Sequence, residues 1–388
     1  MARALYIHWP FCASKCPYCD FNSHVRERVD MVGMEAAMLA DMRFEHAVCM
    51  AEGKAHDRLD SIFFGGGTPS LMPPSLVERL LVEAEKLWGF AEGIEITLEG
   101  NPSSVEAANY ASLAQVGINR VSLGLQALDD ETLRFLGRLH NASEGLGALE
   151  VAQKHFERVS FDLIYARPGQ TLDSWQAELE RALAYGTGHL SLYQLTIEPG
   201  TRFETMVRKH EFAPLDEDAC ADMFALTREM TVSAGLPAYE ISNHARRGEE
   251  SRHNLTYWRY QDYCGIGPGA HGRRANTATV RHRKPENWLA AVQTEGQGIV
   301  ESRALSRNEQ ASEAMLMGLR LDEGIDLAVM AGRFELPQSA LCDTAKADFY
   351  AKQDLLWRDG SRLGVTTEGM ALLDGLLGEV VPAQLVEP

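Results

Sequence analysis

A chain of 388 residues exceeds what one ordinary hydrophobic core supports, so we expect two or three domains, or one barrel with an appended domain. The hydrophobic fraction of 45% is normal for a globular protein, and no stretch approaches the ~20 apolar residues that cross a bilayer. The formal net charge of −18 disfavours broad contact with a phosphate backbone, so we predict no nucleic-acid partner.

Short β-rich segments alternate with helical segments over the first two hundred residues. The predicted strands are Leu5–Trp9, Leu59–Phe64, Ile94–Glu99, Asn119–Gly124, Val159–Ile164 and Leu190–Thr196. The predicted helices between them lie near 30–50, 74–88, 103–115, 129–137, 143–156 and 172–185. This alternation is typical of consecutive βαβ units and a parallel sheet. Six units are too few to close the eight-stranded barrel, so the sequence predicts an α/β fold with an open, partial (β/α)6 barrel.

The pattern changes after a helix predicted at 216–235. We therefore predict a partial barrel at 1–235, a connecting region at 236–300 and a mainly helical, winged-helix-like domain at 301–388. Within the last part, the longest helix is expected at Leu305–Leu321, with β-like elements around Leu363–Thr367 and a helix at Glu368–Leu377.

Three cysteines lie within eight residues near the N-terminus. Cys12, Cys16 and Cys19 have the spacing C-x3-C-x2-C, and no fourth cysteine follows them. Iron–sulfur clusters are usually held by four thiolates, so three would leave one iron of a cubane open to a further ligand. A zinc site is the alternative, with His8 or His24 as the fourth ligand, although the second paired arm of a zinc fold is missing.

A disulfide framework fits the cysteines less well. Seven is an odd number, and the remaining four are scattered along the chain. The N-terminus lacks the basic and then apolar pattern of a secretory leader, so we expect a reducing, cytoplasmic location.

Unusual residues stand where the predicted strands end. The run Gly65-Gly66-Gly67-Thr68-Pro69 follows the second strand, Glu99 closes the third, and Gln126 follows the fourth. Asp162 lies within the fifth strand. Ligands bind at the carboxyl ends of parallel strands, so these side chains predict a binding site there. A phosphate loop is disfavoured because the glycine run lacks the terminal Lys-Ser/Thr.

These motifs together resemble the radical S-adenosylmethionine (SAM) superfamily. Within it, the chain is similar to the branch of oxygen-independent coproporphyrinogen III oxidase and its haem-chaperone relatives. The resemblance rests on Tyr6 to Cys12, Cys16 to His24, Gly65 to Pro69, Ser122 to Gln126, Phe161 to Tyr165 and Gly265 to Gly272.

The resemblance implies a [4Fe–4S] cluster on Cys12, Cys16 and Cys19, with SAM chelating the open iron through its amino and carboxylate groups. Carboxylate side chains suit the hydroxyls and cationic centre of SAM, and an arginine suits its carboxylate. The SAM-binding residues that it implies are Tyr6, Tyr18, Gly66, Gly67, Thr68, Glu99, Gln126, Arg138 and Asp162.

Two features separate the chain from the decarboxylating oxidases. Those enzymes carry a fourth cysteine two residues after the third, where this chain has Phe21. The second feature is an H-N-x-x-Y-W motif that is associated with haem binding in the chaperone branch. It consists of His253, Asn254, Tyr257 and Trp258. The alternative axial ligands are His244, Cys264 and His271. The non-functional interpretation of the motif is a loop in which His253 and Asn254 form ordinary turn hydrogen bonds.

The resemblance therefore predicts a haem chaperone that binds haem and hands it to an acceptor (respiratory) haemoprotein, including a membrane-associated one. A haem bridging two subunits would give a homodimer. The alternative is an active coproporphyrinogen decarboxylase that cleaves SAM. A radical enzyme acting on tRNA or a peptide fits the acidic charge less well.

Overall fold

The computed structural model describes residues 4–52, 58–382 and 385. Each of the six predicted strands is present. The strands of these residues are β1 Ala4–Trp9, β2 Phe11–Cys12, β3 His24–Val25, β4 Leu59–Gly66, β5 Phe90–Gly100, β6 Arg120–Gln126, β7 Arg158–Tyr165, β8 His189–Gln194, β9 Asn243–Ala245, β10 Tyr263–Ile266, β11 His271–Arg274, β12 Thr277–Arg281, β13 Ile299–Ala304, β14 Ile325–Asp326, β15 Leu356–Asp359 and β16 Arg362–Val365.

One large sheet has the strand order β13-β12-β11-β10-β1-β4-β5-β6-β7-β8-β9. The six sequence-predicted strands, β1 and β4 to β8, are neighbours in chain order and pair in parallel. Strand β10 adds a further parallel pair on β1, and β9 to β13 come from 243–304. The result is the predicted partial barrel, and its sheet continues through the region predicted at 236–300.

Most predicted helices are also present, with two differences. The segments predicted as single helices at 103–115 and at Glu368–Leu377 each form two helices. The helices of the described residues are α1 Met31–Ala51, α2 Pro74–Trp88, α3 Ser104–Ala107, α4 Tyr110–Gln115, α5 Asp130–Phe135, α6 Ala142–His155, α7 Leu172–Leu183, α8 Arg202–Arg208, α9 Glu217–Ser233, α10 Arg252–Trp258, α11 Pro285–Glu295, α12 Arg307–Gly318, α13 Leu327–Phe334, α14 Gln338–Leu341, α15 Thr344–Ala351, α16 Thr367–Met370 and α17 Leu373–Val380.

The two-residue period of the strands separates the core from the site. In β6, Val121 and Leu123 are fully buried in the main hydrophobic core, against the helices. Ser122 and Gly124 point to the opposite face and line a cavity. Because successive side chains of a strand alternate between faces, apolar residues build the core and their neighbours build the site.

The C-terminal region is mainly helical and has a hydrophobic core of its own. The small sheet β14-β16-β15 packs with α12 to α17 around residues such as Met315, Leu363 and Leu377. The expected helix at Leu305–Leu321 is observed as α12, and the expected β-like element is observed as β15 and β16. No helix in the described ranges is long and apolar enough to cross a membrane.

Candidate functional site

A cavity of about 430 Å³ lies at the carboxyl ends of β4 to β7. It brings together residues that are up to 150 positions apart in the chain. Its walls include the three loop cysteines and eight of the nine predicted SAM-binding residues, Tyr18, Gly66, Gly67, Thr68, Glu99, Gln126, Arg138 and Asp162. The sequence-predicted site is therefore one continuous space.

The cysteine loop is held by strand pairing and by hydrogen bonds. Strand β2, which contains Cys12, pairs in parallel with β3 across the loop. The Thr68 hydroxyl donates to the Cys12 sulfur at 3.4 Å, and the Cys19 amide donates to the Cys16 carbonyl at 3.2 Å. Burial raises the pKa of the Cys12 and Cys19 thiols. Binding of a metal cluster, which requires thiolates, would therefore release protons.

The zinc alternative does not fit this geometry. The His8 ring nitrogens contact the Tyr6 hydroxyl and the Asn22 carbonyl at 3.0 and 2.9 Å, and His24 contacts Asn22 and Arg283. Four ligands at ~2.3 Å from one zinc ion would have to lie close together. Among the described residues, the one group of three potential metal-ligand atoms within 4.8 Å of one another does not include the loop cysteines. The three loop sulfurs are therefore spread more widely than that distance. A wider spread suits a multi-iron cluster.

Arg138 is the cationic group in the cavity wall. Its guanidinium donates to the Gly124 carbonyl at 2.8 Å, to the Cys16 sulfur at 3.3 Å and to the Asn101 side chain. Its Nε is buried and has no hydrogen-bond partner. Buried donors are normally paired, so this orphaned nitrogen fits a site that receives an acceptor from a ligand.

Asn101 is a cavity residue that the sequence interpretation missed. Its side chain accepts from Arg138 and donates to the Thr68 hydroxyl at 3.1 Å, linking the arginine to the residue that contacts Cys12. The available signal was its place directly after the third predicted strand, where the other polar site residues also stand.

Two carboxyl groups face the same space from neighbouring strands. Burial, together with the nearby charge of Asp162, raises the pKa of Glu99 to about 8. Burial also raises the pKa of Asp162 to about 6, although the Ser122 hydroxyl donates to it at 3.2 Å. Desolvated carboxyl groups with raised pKa values suit a cationic ligand, which would restore their charged form.

The backbone is unusual at two positions in the wall. Gln126 has φ of 71°, in the left-handed region that non-glycine residues rarely adopt, and such strain is concentrated at functional sites. Gly66 has φ of 109°, and a Cβ there would lie 2.6 Å from the His8 ring. The glycine is thus required by the close packing of β1 against β4, and not by a ligand alone.

Tyr6 is the predicted SAM residue that does not line this cavity. Its hydroxyl contacts His8 Nδ1, and its ring stacks on Phe63 and on His253 at centroid distances of 6.3 and 6.1 Å. A direct contact of Tyr6 with SAM remains a prediction.

The H-N-x-x-Y-W motif forms helix α10. His253 is buried there, and its ring nitrogens contact the Ser61 hydroxyl at 3.3 Å and the Tyr257 hydroxyl at 2.7 Å. Burial lowers the pKa of His253 to about 3, which keeps the imidazole neutral. Asn254 and Trp258 are half-buried, and neither they nor His253 and Tyr257 line the cavity.

The alternative haem ligands have different surroundings. His244 is buried in β9, and Cys264 is buried against Cys49, with their sulfurs 3.4 Å apart. His271 is exposed at the start of β11.

Exposed apolar side chains surround the mouth of the cavity. Phe21, which is 61% exposed, stands beside the cysteines, and Leu71, Val105 and Leu139 come from three other segments. Singly exposed apolar residues are ordinary, but a group around one opening indicates an interaction site. We call these four residues the apolar rim.

A second, larger cleft of about 1460 Å³ adjoins the cavity, between the barrel and the C-terminal region. The two share Tyr18, Cys19, Phe21 and three polar wall residues. No Lys, Arg or His lines this cleft among the residues that the structure describes. Its acidic lining residues are Asp20, Glu99, Asp162, Glu198, Glu217, Asp374 and Glu379.

The chain matches two family models. Residues 6–182 match the radical SAM superfamily, and residues 305–372 match the HemN C-terminal domain. The chain belongs to the radical SAM superfamily, and [4Fe–4S] and SAM are the cofactors that this family implies.

Curated relatives place the chain more narrowly. It is 34% identical to the "Heme chaperone HemW" of Haemophilus influenzae, over 96% of each chain. It is 37% identical to the "Radical S-adenosyl methionine domain-containing protein 1, mitochondrial" of Mus musculus, over 98% of this chain and 87% of that protein. The chain is thus similar over nearly its full length to radical SAM proteins that include haem chaperones.

A solved structure confirms the fold. The coproporphyrinogen III oxidase HemN of Escherichia coli superimposes with a TM-score of 0.81, covering 97% of this chain and 89% of that one. Its sequence identity is 19%, so this likeness establishes the α/β partial barrel and the helical C-terminal region, and nothing about activity.

Proposed function

We propose that the protein is a haem chaperone, which binds haem and transfers it to acceptor haemoproteins. The observation that carries this proposal is the similarity, over nearly the full length, to relatives named haem chaperone. We also propose that Cys12, Cys16 and Cys19 hold a [4Fe–4S] cluster and that SAM binds exchangeably beside it.

The donor set of the cavity fits these cofactors. Three thiols face one space, and the wall adds an arginine with an unpaired Nε and two desolvated carboxyl groups. When bound, an open-iron cluster supplies a coordination position and one-electron chemistry. Arg138 would bind the SAM carboxylate, and Glu99 and Asp162 would bind its hydroxyls or cationic centre.

The charge of the larger cleft argues against the decarboxylase alternative. A porphyrinogen substrate carrying several propionates would need cations to pair with its carboxylates, because buried charges must be paired. The described lining of the cleft instead has seven carboxyl groups and no cationic side chain. Phe21, which cannot bind iron, stands at the position of the fourth cysteine of the oxidases.

The haem-binding residues that we propose are His253, Asn254, Tyr257 and Trp258. His253 is neutral, as an axial ligand must be, but both of its ring nitrogens already have protein partners. Ligation of iron by His253 therefore requires its contact with Tyr257 or its contact with Ser61 to break.

Haem titration of the anaerobically reconstituted protein tests the proposal. We expect a Soret shift on binding that is weakened in His253→Ala, while His155→Ala, at an exposed histidine of α6, leaves it unchanged. Absence of a Soret shift in the unsubstituted protein would contradict the function itself. An unchanged shift in His253→Ala would contradict only the ligand assignment.

The decarboxylase alternative has a test of its own. The reconstituted protein is incubated with coproporphyrinogen, SAM and a reductant, and the products are separated by chromatography. We expect no vinyl product, and its appearance would refute the preference for a chaperone.

We also propose that the partner that receives haem is a haemoprotein and not a nucleic acid. Haem-dependent pairing of two copies would be detected by light scattering with and without haem. A reducing, cytoplasmic location also remains a proposal; the name of the mouse relative places that protein in mitochondria.

A further inference from the structure

Asn22, three residues after the last cluster cysteine, joins the cysteine loop to a distant part of the chain. Its side-chain Nδ2 donates to the Pro268 carbonyl and to the Arg283 carbonyl, each at 3.0 Å. These partners are about 250 positions away and belong to the segments on either side of β11 and β12. One amide thus ties the loop to two separate segments of the backbone.

The remaining polar atoms of Asn22 are used as well. Its Oδ1 contacts His24 Nε2 at 3.2 Å, and its backbone carbonyl contacts His8 Nε2 at 2.9 Å. Gly269, with φ of 83°, packs so closely that a Cβ there would overlap the Asn22 amide. We call Asn22 and its partners Pro268, Gly269 and Arg283 the loop clasp.

The segment that receives Asn22 is itself firmly anchored. The Gly267 amide donates to Asp41 Oδ2 at 3.1 Å, and Asp41 also accepts from Arg281 at 2.7 Å and from Trp288 at 3.3 Å. Asp41, Arg281 and Trp288 are fully buried. The clasp therefore attaches the loop to a rigid point of the core.

The residues on both sides of Asn22 line the same cavity as the cluster cysteines. Phe21 and Ser23 stand in the cavity wall together with Cys12 and Cys19. A displacement of Asn22 would move these neighbours and with them the sulfurs. A few ångströms of displacement are enough to spoil a site that needs its ligands at fixed distances.

We infer that Asn22 is a positioning residue, which fixes the cysteine loop in its cluster-binding conformation by anchoring it to the segment around 267–283. The anchoring segment follows directly after α10 and β10 in the chain. If the proposed function holds, the clasp also connects the cluster loop to the haem motif. Loss of the cluster would then weaken haem binding, and changes in the haem motif would weaken cluster binding.

The first test is Asn22→Ala, measured by iron and sulfide content and by the visible absorbance of the reconstituted protein. We expect less iron per chain and roughly tenfold faster loss of the cluster to a chelator, because two hydrogen bonds that hold the loop are removed. The matched control is Asn119→Ala. Asn119 also bridges two backbone groups, Ile94 and Ile96, but at the opposite end of the sheet.

A second variant approaches the clasp from its other side. Gly269→Ala leaves Asn22 and every cysteine in place but pushes a methyl group into the amide. We expect it to reproduce the cluster defect. Its control is Gly296→Ala, which imposes a similar strain at φ of 76° where a Cβ would meet nothing within 4 Å.

The outcomes separate the inference from the proposed function. Wild-type iron content and chelation rate in both Asn22→Ala and Gly269→Ala would overturn the inference, whether or not the protein binds haem. Equal losses in the two control variants would also overturn it, since the effect would then be one of general stability. Circular dichroism of each variant establishes that the fold is retained.

Discussion

Replacing Arg138 by methionine removes the cation from the cavity wall while keeping a long, flexible side chain. The guanidinium now bonds the Gly124 carbonyl and the Asn101 side chain and lies 3.3 Å from the Cys16 sulfur. Both oxygen acceptors belong to residues that line the cavity, so water can replace the arginine there. We therefore expect a modest loss of stability and a larger loss of ligand binding.

The magnitude follows from the bond that Arg138 would form with the SAM carboxylate. A hydrogen bond to a charged group contributes about 1.5–3 kcal/mol, and each 1.4 kcal/mol changes an equilibrium constant tenfold. The dissociation constant for SAM should thus rise by roughly 10- to 100-fold. Arg138→Lys keeps the charge but not the planar fork of the guanidinium. Its dissociation constant for SAM should lie between those of the unsubstituted protein and Arg138→Met.

The assay is equilibrium dialysis or calorimetry of SAM with anaerobically reconstituted protein, with iron content measured on the same samples. The matched control is Arg134→Met, one turn earlier, where the arginine is exposed and its Nε donates to the Asp130 carbonyl at 2.9 Å. An unchanged affinity for SAM in Arg138→Met, at normal iron content, would refute the assignment of this residue.

Two further predictions concern pH and the apolar rim. The folded pKa of Glu99, about 8, lies above its ordinary value of ~4.3, so its contribution to stability is present below the ordinary value and is lost as the pH rises through 8. Chemical unfolding of the cluster-free protein between pH 5 and 9 should therefore show a steeper decline than in Glu99→Gln, and parallel curves would contradict this. Phe21→Ser combined with Leu139→Ser should weaken haem binding at least tenfold if haem covers the rim, because burying each side chain contributes about 1.5–3 kcal/mol. Val329→Ser, at a similarly exposed apolar residue of α13, should bind haem normally. Equal haem affinity in the unsubstituted protein, the double variant and Val329→Ser would exclude the apolar rim from the haem-binding surface.

The local signals predicted the elements correctly where they were strong. The six strands are short runs that contain β-branched or aromatic residues, and each is found in the structure. The helix expected at 103–115 divides because Ser103 caps a first turn that ends at Ala107, before Tyr110 begins the second helix. Strand β10 was missed, since Tyr263 to Ile266 is short and its parallel pairing with β1 is formed across 250 residues.

The sequence by itself determined the chemistry of the cofactor site: three closely spaced thiols and polar groups at consecutive strand ends, which must meet because parallel strands end at one edge of the sheet. The tertiary structure decided which neighbours those groups have. It turned Tyr6 toward His8, enclosed His253 between Ser61 and Tyr257, and attached Asn22 to Pro268 and Arg283. These contacts join residues far apart in the chain, so packing of the whole sheet, and no local pattern, sets them. The three cysteines predict a cluster, and Asn22 ties the loop that carries them to segments that follow β10 and β12, about 250 residues later in the chain.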